Sequence, residues 1–417
     1  MGVLTRSGSV CYLGVQVSGT IPPKATPLRP IFGSMGGLCL SELRKTLGPV
    51  FRVKAAGRES TYIASPSLIN AIYKDPKNFQ FLPIRQQFTQ DVFGIPHEIS
   101  FSKEILSEYF PSHTRVLSPK GIIPILNRYV SYAHQELHAT LGSRWDTTVA
   151  LKEALLIPAY NAAARTFLGP SFPAEKTYQD FNTFNNAFHI ITAGVPRFLL
   201  PGPYRAWDRV VSHVKDHVSK LRERNEEVTE LVAMTLDECE RHRWLGDNPS
   251  AMLAADLWAL EANAIWAVYW TIVYLLQSPH GIAPVVAEID RARENWISTH
   301  PSIPLTASTF PQFLEDSMAD FPLLTSCIHE VLRLTTSTFS IRRVSNQTEF
   351  AGFEFKEGDE IICTTRAVHV DEEIYEDPYQ FKMDRFLDGQ NKFQKDGKPV
   401  PNHLMPFGGG VSMCEGR

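Results

Sequence analysis

The chain has 417 residues, of which 43% are hydrophobic, 11% aromatic and 21% charged. That balance is ordinary for a globular protein and excludes disordered, collagen-like and coiled-coil chains. With 41 basic against 45 acidic residues the net charge is −4, which leaves no broad cationic face for nucleic acid.

Residues 1–30 carry Pro22, Pro23, Pro27 and Pro30 and read as an irregular N-terminal segment ahead of one domain over 31–417. No signal peptide of the usual pattern stands in the first twenty residues. A strand pair is expected over GPVFRVKAAG (48–57) and RESTYIA (58–64), and Ser65-Pro66-Ser67 then opens a helix through Ile72. Helical periodicity marks 102–140, 147–168 and 204–243, the last a charged surface helix with one buried stripe. Residues 251–277 are apolar on nearly every face and predict one helix through the core. Its inner part, 257–277, approaches the roughly 20 residues of a membrane span. Glu261 and Asn263 are costly in lipid, however, so a core helix is the reading. Helices follow at 285–296 and 319–334. From Ser337 the pattern turns to short strands, FSIRRVS, TEFAGFEFKEGD and EIICTTRAVH, and 371–417 reads as mostly irregular.

Cys11, Cys39, Cys239, Cys327, Cys363 and Cys414 are scattered with no CxxC pair, so neither a zinc ribbon nor a disulfide framework is expected. Thiols in a reducing, intracellular setting fit this spacing. One of them stands apart. In Phe407-Gly408-Gly409-Gly410-Val411-Ser412-Met413-Cys414-Glu415-Gly416-Arg417, three glycines permit positive φ and close approach of backbone to a flat ligand. Their turned amides can stabilise a thiolate, and Phe407 is expected to pack on the sulfur. A thiolate below haem iron pushes electron density that favours O–O cleavage. Upstream, Glu330 and Arg333 are three apart and share a helix face. Ile328, Val331, Leu332 and Leu334 make that helix buried, and a buried ion pair needs further partners, for which Arg385 is the candidate. His329-Glu330 is not zinc chemistry, because the fifth position of an HExxH motif is Arg333 here.

The loop FGGGVSMCEGR, the helix motif HEVLR and the MDRF stretch resemble the cytochrome P450 family in order and spacing, and the resemblance runs from about Leu47 to Arg417. It includes His369, Asp371, Tyr375, Asp377 and Pro378 in the segment before the loop. The resemblance implies a mainly α fold with small β-sheets, and haem b as cofactor with Cys414 as the axial thiolate ligand of the iron. Phe407, Gly408, Gly410 and Gly416 would shape the haem loop, and Glu330, Arg333 and Arg385 would form a structural triad. Arg342 or Arg343 would contact a haem propionate. Two departures stand out. Ser412 occupies a place where relatives often carry Arg or His for a propionate. The chain also stops three residues after the ligand, so the fold is expected to be incomplete at the C-terminus, lacking a helix and strands, with weak haem binding or aggregation as the consequence.

Ala262-Asn263-Ala264-Ile265-Trp266 replaces the usual acid-threonine motif of the helix that crosses the haem. Together with Leu257-Trp258-Ala259 and Tyr269-Trp270 it resembles the branch of sterol 7-alpha- and 12-alpha-hydroxylases and prostacyclin synthase. By that resemblance Asn263 is the catalytic residue that orients distal oxygen or water. The implied function is a monooxygenase acting with dioxygen on a small lipophilic, sterol-like substrate, supplied with electrons by an NADPH-dependent reductase at the endoplasmic reticulum membrane surface. The alternatives are a haem-thiolate isomerase rearranging a peroxide, or an inactive fragment. Lys392, Lys395 and Lys398 read as solvated surface, with a docking patch for an acidic reductase as the functional alternative.

Overall fold

The computed structural model describes residues 15–16, 24–25, 43–55, 58–142, 148–192, 194–224, 228–336, 339–387 and 392–415. Gly416, Cys11, Cys39 and most of 1–30 lie outside the described residues. The chain forms two compact units, one from residues up to Arg85 together with 326–415, the other from Gln86–Thr325.

The first unit is built on a sheet. Its strands are β1 (Val15–Gln16), β2 (Lys24–Ala25), β3 (Val50–Ala55), β4 (Arg58–Ile63), β5 (Phe79–Gln80), β6 (Phe339–Val344) and β9 (Glu360–Thr364), in the spatial order β1-β2-β3-β4-β9-β6-β5. The expected hairpin β3–β4 pairs antiparallel, with Val50 opposite Ile63, while β9 joins β4 in parallel and β6 antiparallel. Alternation along β3 buries Phe51 and Val53 against Leu43, Tyr62 and Ile362. Two short hairpins, β7 (Thr348–Phe350) with β8 (Phe353–Phe355) and β10 (Gln394–Lys395) with β11 (Lys398–Pro399), complete its β structure among the described residues. The helix Pro66–Lys74 starts at Ser65 with proline in its first turn and buries Ile69, Ile72 and Tyr73. It runs two residues beyond the sequence expectation. The second half of EIICTTRAVH is also not strand: Thr365–His369 forms a helical turn.

The second unit is helical. Helices Ile122–Leu141, Leu151–Leu168, Ala174–Thr192, Pro201–Arg224, Glu230–Arg241 and Asn248–Glu261 supply most of it. The span 102–140 holds a π-turn at Ile105–Tyr109 and a separate helix Phe110–Val116 before the long one. Span 204–243 divides in two, because Thr229 caps a new helix with its hydroxyl oxygen accepting from Val232 N. Aromatic stacking fills the core: Phe184 lies on Trp207 with centroids 4.4 Å apart, and Phe188 on Trp258 at 4.1 Å. A carboxylate caps the helix Pro322–Thr335, Glu288 accepting from Leu323 N and Leu324 N at 2.7 and 2.8 Å.

The single core helix expected over 251–277 is two helices, Asn248–Glu261 and Ala264–Gln277, interrupted at Ala262 and Asn263. Asparagine competes for nearby backbone groups, which weakens helix propagation at that point. The first of the two is buried along Met252, Leu253, Ala254, Leu257 and Glu261, but in the second only Ile265, Thr271 and Leu275 are. Val268, Trp270 and Leu276 are exposed, so an apolar composition all round did not mean burial all round.

Candidate functional site

All the motif residues of 326–415 lie in the first unit, and the structure brings several of them together. Glu330 and Arg333 are fully buried. The Glu330 carboxylate accepts from Arg333 Nε and Nη2 at 2.7 and 2.8 Å, and from Arg385 Nε at 2.8 Å. Arg333 spends its remaining donors on the carbonyls of His369 and Pro378, both at 2.6 Å. Arg385 donates to the carbonyls of Glu376, Asp377 and Gln380. Two guanidinium groups on one carboxylate leave a net positive charge, and these carbonyl oxygens disperse it. Helix Pro322–Thr335 is thereby fastened to the whole 369–385 segment.

That segment in turn sets the entrance to the cysteine loop. His369 is wholly buried, and its Nε2 accepts from Met405 N at 2.9 Å, so the ring proton sits on Nδ1. Burial, then the Arg333 and Arg366 charges, push the imidazole down to about 3, which keeps it the neutral acceptor that the bond needs. Tyr375 donates to His403 O at 3.0 Å, on the same stretch.

The loop itself uses its glycines as the sequence anticipates. Gly408 and Gly410 sit at φ +72, while Gly409 is extended. The close approach is to protein: a Cβ on Gly409 would stand 2.3 Å from the Tyr73 ring, and one on Gly410 2.4 Å from the Tyr73 carbonyl oxygen. Cys414 is exposed and closes the turn by donating its N–H to Phe407 O at 3.1 Å. Phe407 is 37% exposed, and its described tie to Cys414 is through backbone. Glu415, next to the ligand candidate, pairs with Arg85 at 3.1 Å.

Between the two arginines that the sequence left open, strand alternation discriminates. Arg342 is buried and Arg343 half-buried. Arg342 donates to Gly409 O at 3.1 Å, Ser340 Oγ at 3.0 Å and Ile341 O at 2.9 Å. Its guanidinium lies over the rings of Tyr73 and Phe81, 5.1 and 5.3 Å from their centroids. Among the described residues no carboxylate pairs with it, and burial pulls its pKa down. The Tyr73 hydroxyl is buried close to Ser340. Sequence reasoning missed Tyr73 altogether, since it belongs to no motif and meets the loop across more than 330 residues of chain. A cleft of about 290 Å³ runs between Asn70, Tyr73 and Lys74 on one side and the loop from Leu404 to Met413 on the other.

Other expectations fare differently. Asn263 is exposed at the break between its two helices, in the second unit. Gly416 lies outside the described residues. Lys395 is not a free docking cation: it pairs with Asp371 at 2.8 Å and with Glu373, and Lys392 lies over the Phe393 ring. The carboxylates of Glu108 and Glu238 gather near His242, but Arg241 already pairs with both, which supplies the charge a cation would bring.

An exposed thiol on a glycine turn, in a loop that the buried Arg342 holds at Gly409 O, is compatible with a haem-thiolate protein. The family comparison agrees in full: the chain belongs to the cytochrome P450 family, whose model matches residues 23–417. Among curated relatives, cytochrome P450 7A1 of Rattus norvegicus is 27% identical over 57% of this chain and 48% of its own length. The chain thus spans about half the length of that relative. Cytochrome P450 7B1 of Mus musculus is 25% identical over 91% of the chain and 76% of its own length. Prostacyclin synthase of Rattus norvegicus is 25% identical over 93% and 80%.

Proposed function

We propose that this chain works as a haem-dependent monooxygenase that hydroxylates a lipophilic, sterol-like substrate with dioxygen and electrons from an NADPH-dependent reductase. The observation that carries the reading is Cys414, presented at the surface of the first unit by a loop held at Gly409, Met405 and Glu415. Haem bound there would supply dioxygen chemistry, with the thiolate favouring O–O cleavage. The chain's own work is to hold the loop so that the sulfur keeps its aim, and to keep His369 neutral so that Met405 N stays bonded. Arg342 gives the buried cation toward which a haem carboxylate would turn. Asn263 takes the role of orienting distal oxygen or water, on the strength of the branch resemblance. The sterol class is supported by the matches to cytochrome P450 7B1 and to the 25-hydroxycholesterol 7-alpha-hydroxylase of Rattus norvegicus, 28% identical over 83% of the chain.

Association with a membrane surface has a local support. Phe198 and Leu199 stand side by side on the short turn Arg197–Leu199, 79% and 60% exposed, where two adjacent apolar side chains would enter an interface readily. A second reading, a haem-thiolate isomerase, is favoured by the prostacyclin synthase match, which extends over nearly the whole chain. Turnover separates the two. Product formation from a sterol that requires both NADPH and reductase supports the monooxygenase, and conversion of a lipid peroxide without either supports the isomerase. A reduced, carbon-monoxide-treated protein with no thiolate-type Soret band would overturn both.

A further inference from the structure

Helix Ile122–Leu141 carries two histidines one turn apart, His134 and His138, that the haem reading does not use. Residues four apart on a helix lie one above the other, with Cβ atoms about 5–6 Å apart. Both side chains are exposed, and the two rings face each other with centroids 6.3 Å apart and planes 26° from parallel. Among the described residues neither imidazole has a hydrogen-bond or ion-pair partner. The chain has one other pair at this spacing, His213 and His217, which shows an engaged imidazole by contrast. His217 is 3% exposed, and its Nε2 is held to Leu168 O at 2.7 Å. Glu136 does not compete for the exposed pair. Its carboxylate turns to helix Leu151–Leu168, where it accepts from Asn161 Nδ2 at 2.9 Å and from Arg165.

We propose that His134 and His138 form a two-histidine chelate for a late first-row divalent metal ion of the nickel, copper and zinc group. Imidazole nitrogen suits these ions, and two histidines four apart on one helix face can reach a single ion. Ring nitrogens at about 2.0–2.1 Å from a shared ion put the ring centroids roughly 5 Å apart, so a closure of about 1 Å completes the site. Exposed side chains with no other partner make that movement freely. The position also favours a cation, because His138 stands in the last turn, at the negative pole of the helix. Two protein ligands leave further coordination places to water, so the site is an open one. A bound ion would staple the turn that the bond from Gly142 N to His138 O closes at 2.7 Å.

The experiment titrates nickel(II) chloride into the full chain, freed of metal by dialysis against EDTA, and follows binding by calorimetry. Three variants accompany the parent: His134→Ala, His138→Ala, and His138→Ala combined with Ala139→His. The last keeps the number of histidines but moves one about 100° around the helix. The parent should bind one nickel ion that each single variant binds at least about tenfold more weakly, because the second imidazole acts at high effective concentration. The moved-histidine variant should behave like His138→Ala. An isotherm unchanged by either single substitution overturns the proposal, as does full recovery when the histidine is moved. Hydrogen exchange gives a second readout that a loose surface ion would not move. Nickel should slow exchange of the amides of residues 138–142 in the parent and leave them unchanged in His138→Ala. Binding without that protection, or equal protection in both proteins, would also overturn the chelate. None of these outcomes depends on the haem reading.

Discussion

Glu261 offers the sharpest test of the energetics of the helical unit. Its side chain is fully buried at the end of helix Asn248–Glu261, and among the described residues neither carboxylate oxygen has a hydrogen-bond partner. Burial therefore pushes its pKa well above the ordinary value of 4.5. A carboxyl whose folded pKa is raised leaves stability intact below the unfolded value. Stability is then lost as pH climbs from there toward the folded value. Each pH unit in that window removes at most about 1.4 kcal/mol.

Replacing Glu261 by glutamine abolishes the titration and keeps the shape. The variant should match its parent near pH 4.5 and gain on it as pH rises from there, by at most about 1.4 kcal/mol per pH unit. Urea unfolding of both proteins at four pH values between 4.5 and 7.5 measures the difference, provided the slopes stay equal. A gain that does not grow with pH refutes the reasoning. So does a loss at pH 7, which would mean that the carboxylate is charged and compensated by a partner.

Glu330→Ala should cost about 3–5 kcal/mol, because it leaves Arg333 and Arg385 buried without their carboxylate. Lys382→Ala, which breaks only exposed pairs with Glu376 and Asp377, should cost less than about 1 kcal/mol in the same urea series. Gly410→Ala combines a positive φ with a Cβ 2.4 Å from backbone, and should destabilise by about 2–4 kcal/mol. Gly408→Ala shares the φ but meets nothing closer than 3.9 Å, so about 1 kcal/mol is expected; equal losses would show that the fit against Tyr73 is immaterial. His369 titrates in the opposite sense to Glu261. Its folded pKa of about 3 lies below the ordinary 6.5, so its contribution is present above pH 6.5 and is lost as pH falls toward 3, by up to about 5 kcal/mol. His369→Gln should flatten the acid limb of the stability curve, and an unchanged limb would show that the ring is not held neutral.

What the sequence disclosed was whatever is carried by short spacing. ExxR places Glu330 and Arg333 on one face by helix geometry alone; of the apolar flanks Val331 and Leu334 are buried with them, whereas Ile328, expected buried, is 39% exposed because it lies on another face of the helix. The hairpin over 48–64 follows from alternation, and positive φ at Gly408 and Gly410 from the needs of a tight turn. Periodicity failed where it carries no information. Residues 251–277 are apolar in every direction, so neither the break at Asn263 nor the exposed side of Ala264–Gln277 could be read from them. Helices Leu82–Asp91 and Ala174–Thr192 passed unnoticed, the first having little contrast between its faces. Arg342 and Arg343 were left together, though strand period two puts Ser340, Arg342 and Val344 on one face and so could have chosen between them.

The loop that bears Cys414 is placed by residues far from it in sequence, and this bears on how its thiol can be tuned. Tyr73 abuts Gly409 and Gly410, Arg342 holds Gly409 O, His369 holds Met405 N and Arg85 holds Glu415. Each of these ties acts on backbone or on a neighbour of the cysteine. A change at any one of them would therefore shift the direction of the sulfur without altering its immediate chemistry. Such errors of aim matter, since a misplacement of about 1 Å can cost two orders of magnitude in rate. A spaced motif announces the cysteine, but the residues that aim it come from the sheet and from the end of helix Pro66–Lys74. Only the folded chain brings those within reach.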